Sequence, residues 1–262
     1  MKCAARKEVI KTARFAALPL LLIITSSAVC ADDAPKKPWQ GDVEAGLISS
    51  EGNTSAKSLK TGVKLAYEEG NWRHNGAFES FNARQSGENT AEKYFLEGKS
   101  GYTFSESNYA FIYANYTDDR FTEFDFQASA SAGYGRVIIN SPVQRWDAEI
   151  GPGHRVTRDK NGDETQETIA HIATNYLWNI SPTSRFEQNI LVESGRSNTV
   201  TRSKSSLVAQ IASSLSMKLS YTLTYNQEIP DAVLTDETTG ETTPVKTYHA
   251  DKETSVSLLY AF

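Results

Sequence analysis

The chain has 262 residues, a net charge of −5 and a mean hydropathy of −0.46. That average excludes a helical membrane bundle, which needs several runs of roughly 20 apolar residues. The negative charge excludes a basic field for nucleic acid. A membrane β-barrel stays open, because its apolar and polar residues alternate and the mean cancels.

In chain order, the first segment has the pattern of a secretory signal. Lys2, Arg6, Lys7, Lys11 and Arg14 make a positive region, and Phe15 to Ile24 make an apolar run too short to span a bilayer as a helix. Val29-Cys30-Ala31 fits a small-x-small cleavage site, so residues 1–31 are expected to be removed. A lipoprotein cysteine at Cys30 is the competing reading, but Val29 before it is too large and Ser27 stands where a Leu is needed. Cleavage removes five basic residues and one acidic residue and moves the net charge from −5 to −9. It also removes Cys3 and Cys30, so disulfides and thiolate metal sites are not expected. Residues 32–38 form a short polar periplasmic leader, and 39–262 form one domain.

From Trp39 onward, runs of alternating apolar and polar residues predict about twelve strands: 39–49, 55–68, 72–84, 92–104, 109–118, 124–138, 145–156, 166–180, 185–195, 199–212, 217–228 and 248–262. The last is the clearest, with Val256, Leu258, Tyr260 and Phe262 on one face and Ser255, Ser257 and Ala261 on the other. Tight joins (69–71, 105–108, 140–144, 181–184, 213–216) alternate with longer polar joins (50–54, 85–91, 119–123, 158–165, 195–198, 229–247). Short periplasmic turns and longer outer loops segregate in this way in a membrane barrel.

Facing tests the idea. If the apolar face is outward, the strand-body charges Asp42, Glu44, Lys60, Lys64, Glu79, Glu97, Lys99, Asp147, Glu149, Glu187 and Lys218 point into the lumen, and Arg136 is the main exception. A charge facing lipid at the midplane costs ~2–4 kcal/mol, which explains such segregation. Trp39, Tyr67, Trp72, Tyr102, Phe104, Tyr109, Trp146, Trp178, Phe186 and Phe262 sit beside the short turns and suggest an aromatic girdle. The expected fold is therefore all-β: a single antiparallel transmembrane barrel with both ends of the domain in the periplasm.

Two motifs resemble known proteins. The terminal Phe262 with Tyr260, Leu258 and Val256 resembles the C-terminal assembly signal of bacterial outer-membrane proteins. Ser50-Glu51-Gly52-Asn53-Thr54 followed by Ser58-Leu59, with Trp39, Gly41 and Gly151-Pro152-Gly153, resembles the YdiY-like family of salt-induced outer-membrane proteins. That glycine motif more often continues with Tyr, where this chain has His154. The resemblance implies an outer-membrane barrel linked to salt or envelope stress and carries over no catalytic residue.

Other chemistry is thin. His74, His154, His171 and His249 show no metal-ligand spacing. His171 faces the lumen in this register, so an embedded Ser-His-acid hydrolase acting on lipid or lipopolysaccharide is the contrasting class. Asp159-x-Asn161-x-Asp163 begins like a calcium loop, but the sixth position is Glu164 and the twelfth Ala170, so a turn at Asn161-Gly162 is expected. The inward charges allow either a narrow aqueous pore or a lumen filled by ion pairs. The expected function is a small passive channel or structural component of the outer membrane, not an enzyme. A surface adhesin using 229–247 is a further alternative. Outer-membrane lipids, lipopolysaccharide and the assembly machinery are the expected partners, with no cofactor, metal or nucleic acid.

Overall fold

The computed structural model describes residues 38–50, 56–120, 122, 124–228, 233–235, 242–244 and 249–262. The signal and leader, most of the Ser50–Thr54 motif and most of 229–247 lie outside the described residues.

Among the described residues fourteen strands form: β1 (Trp39–Ser50), β2 (Ala56–Glu69), β3 (Trp72–Gln85), β4 (Glu88–Ser105), β5 (Asn108–Asp119), β6 (Phe124–Asn140), β7 (Gln144–Asp159), β8 (Glu164–Ser181), β9 (Ser184–Ser194), β10 (Thr199–Gln210), β11 (Leu215–Asn226), β12 (Val233–Thr235), β13 (Thr242–Pro244) and β14 (Ala250–Ala261). Twelve of them close an antiparallel barrel in the order β1-β14-β11-β10-β9-β8-β7-β6-β5-β4-β3-β2. β12 and β13 pair separately as a small ribbon. A barrel follows from the alternation: each strand has one face for lipid and one for the interior, and joining β1 to β14 reduces the edge left in apolar surroundings.

The outer face is apolar. Leu47, Leu96, Ile112, Ile150, Ile172, Leu207, Leu219 and Leu258 are all exposed. Trp39, Trp72, Tyr102, Phe104, Trp146, Trp178 and Phe262 are exposed near one end, and Trp39 packs on Tyr67 and Trp72 on both His74 and Tyr102. Tyr109 does not join them. It is buried and points inward, where its hydroxyl donates to Glu149 (2.6 Å) and Asp147 (3.1 Å). In the run Tyr109-Ala110-Phe111-Ile112-Tyr113 both faces are apolar, so parity gives no direction. The three rings at 109, 111 and 113 pack inside as a cluster. Phe95, Ile169, Val208 and Leu259 are likewise buried, so the inner face is not purely polar.

Loop length separates the two ends less than the sequence suggested. The 85–91 join is a two-residue turn at Ser86 and Gly87, with φ of 53° and 91°, and β4 begins at Glu88. Two successive residues with positive φ suit the right-handed twist of a hairpin. β3 and β4 continue as a polar ribbon, where both faces are wet and the alternation disappears.

The glycine motif of β7 has a backbone cause. The β6–β7 ladder is interrupted between the pairs Ser131↔Gly153 and Tyr134↔Ile150. Pro152 lies in that gap and has no N–H to offer. A Cβ on Gly151 would sit 2.2 Å from Ala132 O, and one on Gly133 would sit 2.2 Å from Ile150 O. Gly135 leaves the room that the Tyr109 ring fills, since a Cβ there would meet Tyr109 Cζ at 2.2 Å.

A divided, charged lumen as the candidate functional site

The inward side chains form two kinds of arrangement. The first runs along the wall. Lys218 on β11 donates to Glu44 on β1 at 2.7 Å, and Ser257 donates to the other oxygen of Glu44 at 2.7 Å. All three are buried. Lys99 pairs with Glu149 at 2.6 Å, while the Asn175 amide donates to Asp147 at 2.9 Å. Glu97 accepts from Tyr113 (3.0 Å), and Glu187 pairs with Arg185 (2.7 Å). Arg155 is buried against Glu167 (2.5 Å) and also donates to the carbonyls of Glu193 and Asn198. It thereby ties the 195–198 connection to the barrel wall.

The second arrangement crosses the lumen. Glu79 on β3 meets Lys204 on β10, five strands away around the ring. Arg202, also on β10, lies 3.7 Å from Glu79 and places its guanidinium 3.6 Å from the ring centroid of Phe95 on β4, at the opposite wall. A cation over an aromatic face is attracted by the ring quadrupole. Lys60 on β2 adds a pair with Glu253 on β14 at 2.5 Å, reaching past β1.

This bar separates two cavities. A chamber of about 970 Å³ opens toward the end that carries Trp39 and Phe262, and Asp42, Lys64, Glu97 and Asn175 are among its walls. A second, of about 370 Å³, lies toward the loop end, with Lys60, Lys93, Asp251 and Glu253 among its walls. Glu79, Phe95 and Arg202 border both. The two chambers thus share a border at these three residues.

All eleven charges singled out from the sequence lie on wall, bar or chamber. Asp42 and Lys64 line the larger chamber, and the other nine hold the partners named above. Sequence reasoning missed Arg155, Arg202, Lys204 and Glu253. Arg202 and Lys204 sit two apart in Arg202-Ser203-Lys204 with small polar neighbours, which was the available signal. Arg136 is exposed on the face shared with Tyr134 and Ile138.

Ser131, His171 and Glu149 stand in a row. Ser131 Oγ is 3.2 Å from His171 Nδ1, and His171 Nε2 is 3.9 Å from Glu149 Oε2. The residue types are those of an acyl-transfer triad, but the second contact is too long for a hydrogen bond and Ser131 is buried. His171 packs between the Phe111 and Tyr113 rings, 5.2 Å from each. In the 159–163 turn, the Asp159 carboxylate accepts from the N–H groups of Asn161 and Asp163, both at 2.9 Å, and Gly162 takes φ of 91°. Among the described residues no cluster of His, Cys, Asp and Glu could hold a metal ion.

An apolar outer belt, an inward charge set and a closed twelve-strand ring define a transmembrane β-barrel. The chain belongs to the family described as "Protein of unknown function, DUF481", which it matches over residues 43–262. It is 29% identical over 232 residues to "Uncharacterized protein YdiY" of Escherichia coli (strain K12), covering 86% of this chain and 84% of that one. Among solved structures it is similar to the NanC porin, with TM-score 0.47, 10% identity, and 84% of this chain and 98% of that one covered. The translocator domain of the autotransporter NalP from Neisseria meningitidis is similar at TM-score 0.46 and 10% identity, covering 88% and 90%.

Proposed function

We propose that this protein is an outer-membrane barrel that passes small polar solutes slowly through a lumen narrowed by the Glu79–Arg202–Lys204 bar. The carrying observation is that Glu79, Phe95 and Arg202, joined by contacts across the lumen, border both chambers. Side chains can change rotamer on the ps–ns to µs scale, whereas a backbone plug must move as a unit. Walls bearing both signs of charge favour neutral or zwitterionic solutes over either ion class.

In this reading, residues 1–31 are removed on export, the turn end faces the periplasm and Phe262 belongs to a signal for the assembly machinery. Lipid and lipopolysaccharide surround the apolar belt. The test is conductance of the refolded protein in planar bilayers. Wild type should give small, brief openings, and Arg202→Ala should raise the conductance about threefold or more by widening the narrowest cross-section. Silence of both proteins, each shown to be inserted, would defeat the channel reading.

A further inference from the structure

The ring is closed unevenly. β1 pairs with β14 from Asp42↔Ala261 to Ala45↔Leu258, and the reciprocal bonds Gly41 N–H to Phe262 O (3.2 Å) and Phe262 N–H to Gly41 O (3.0 Å) extend this at the turn end. Among the described residues the ladder between the two strands does not continue beyond Ala45. Yet β1 stays paired with β2 up to Ser50↔Ala56, and β14 with β11 up to Ala250↔Tyr225. Half of the seam is a ladder, and the other half consists of two edges, each held only from its far side.

Backbone parity shows what those edges offer. Phe262 aims its N–H and C=O at β1, so Tyr260, Leu258, Val256, Thr254 and Lys252 do the same. Ala261 aims the other way and donates to Ser214 O at 2.9 Å. Val256 and Thr254 therefore turn their amides toward Leu47 and Ser49 of β1, where the ladder has no pair, and the position across from Lys252 lies outside the described residues. Gly46 marks the lower lip, where a Cβ would meet Val256 O at 2.7 Å.

The height of the opening follows from the strand rise. About 3.3 Å per residue at a tilt near 40° puts Leu47 roughly 15 Å above Gly41, inside an apolar band about 25 Å tall. The outer face agrees: Leu47 pairs with Leu59, Val256 with Leu219 and Lys252 with Leu223. Unpaired amides at this depth are costly, since hydrocarbon supplies no hydrogen bonds.

Two further observations name the occupant. The smaller chamber reaches the unpaired edge, because Asp251, Lys252, Glu253 and Thr254 all border it. Lys252 is exposed on the lipid face, alternating with the inward Asp251 and Glu253, and has no ion pair or hydrogen bond among the described residues. A cation on the lipid face beside an unpaired edge suits an anionic head group whose tail stays in the bilayer.

We infer that the seam between β1 and β14 from Gly46 to Ser49 is a lateral portal for an amphiphile with an anionic head, which contacts the Lys252 ammonium and the amides of Val256 and Thr254 while its alkyl chain lies on Leu47 and Val256. This stands apart from the conductance reading, because it uses the wall and not the bar.

The test uses the full barrel in phosphatidylcholine nanodiscs and dodecanoate carrying a photoreactive diazirine. Cross-links mapped by mass spectrometry should fall on β1 and β14, and unlabelled dodecanoate should compete whereas dodecyl maltoside should not. Lys252→Gln should weaken capture about tenfold, as loss of one charge-assisted contact would. The pair Leu47→Cys and Val256→Cys should abolish capture when oxidised and restore it on reduction, because no other cysteine lies in 39–262. If phosphatidylglycerol discs alone compete, the natural head is a membrane lipid; if they do not, it is a free acid, and both results uphold the portal. Capture unchanged by the disulfide and by Lys252→Gln would overturn it. So would cysteine at Thr254 forming dimers in most molecules, since a second copy would then cover the edge. Should the double variant fail the heat-modifiability test for folding, Lys252→Gln alone decides.

Discussion

The wall clusters and the cross-lumen bar use the same residue types for opposite ends. Around Glu44, Lys218 takes one oxygen and Ser257 the other, and all three side chains are buried. Around Glu79, the cations come from a strand five places away, and open chambers lie on both sides. An ion pair enclosed by its own strands holds neighbours together. One that spans open space divides it and adds little to the strength of the wall.

The sharpest way to break this comparison is to remove one partner from each. Lys218→Met should leave Glu44 buried and uncompensated, and cost about 3–5 kcal/mol in reversible urea unfolding from lipid vesicles. Next come the glycines of the β6–β7 crossing. Gly151→Ala should cost about 1–3 kcal/mol by overpacking, because the new methyl meets backbone that cannot rotate away. In the same assay Arg202→Ala should cost about 1 kcal/mol or less, since Lys204 still faces Glu79, while it raises conductance. Equal stability losses for Lys218→Met and Arg202→Ala would erase the distinction. The smallest folding effect is expected from deleting Phe262, whose ring is exposed and covers Gly41. That deletion should refold in detergent nearly as well as wild type yet reach the outer membrane poorly, as fractionation of cells would show. Normal insertion would remove the recognition role.

Strand positions and inward charges were legible because the alternation between lipid and lumen repeats in every strand. β11 shows it without interruption. The signal fails wherever both faces share an environment. At 88–91 both faces are wet, so the sequence of the start of β4 has the pattern of a loop. At 109–113 both faces are apolar, so Tyr109 was placed in the girdle although it binds Glu149. The bar was not legible at all. Which charges meet across a barrel depends on ring order and stagger, and Glu79 and Lys204 are 125 residues apart. Nothing in either neighbourhood names the other.

The bonds between Gly41 and Phe262 also govern how the molecule can form. They join nearly the first residue of the domain to its last, and a phenyl ring covers the glycine that receives it. Every other strand pair is sequence-local or nearly so, and can zip as the chain lengthens. This one has the highest contact order in the molecule and bears the loop-closure entropy of the whole domain. Closure must therefore follow the other pairings, and it waits until β14 is available. Until then β1 presents an open edge in need of a temporary escort.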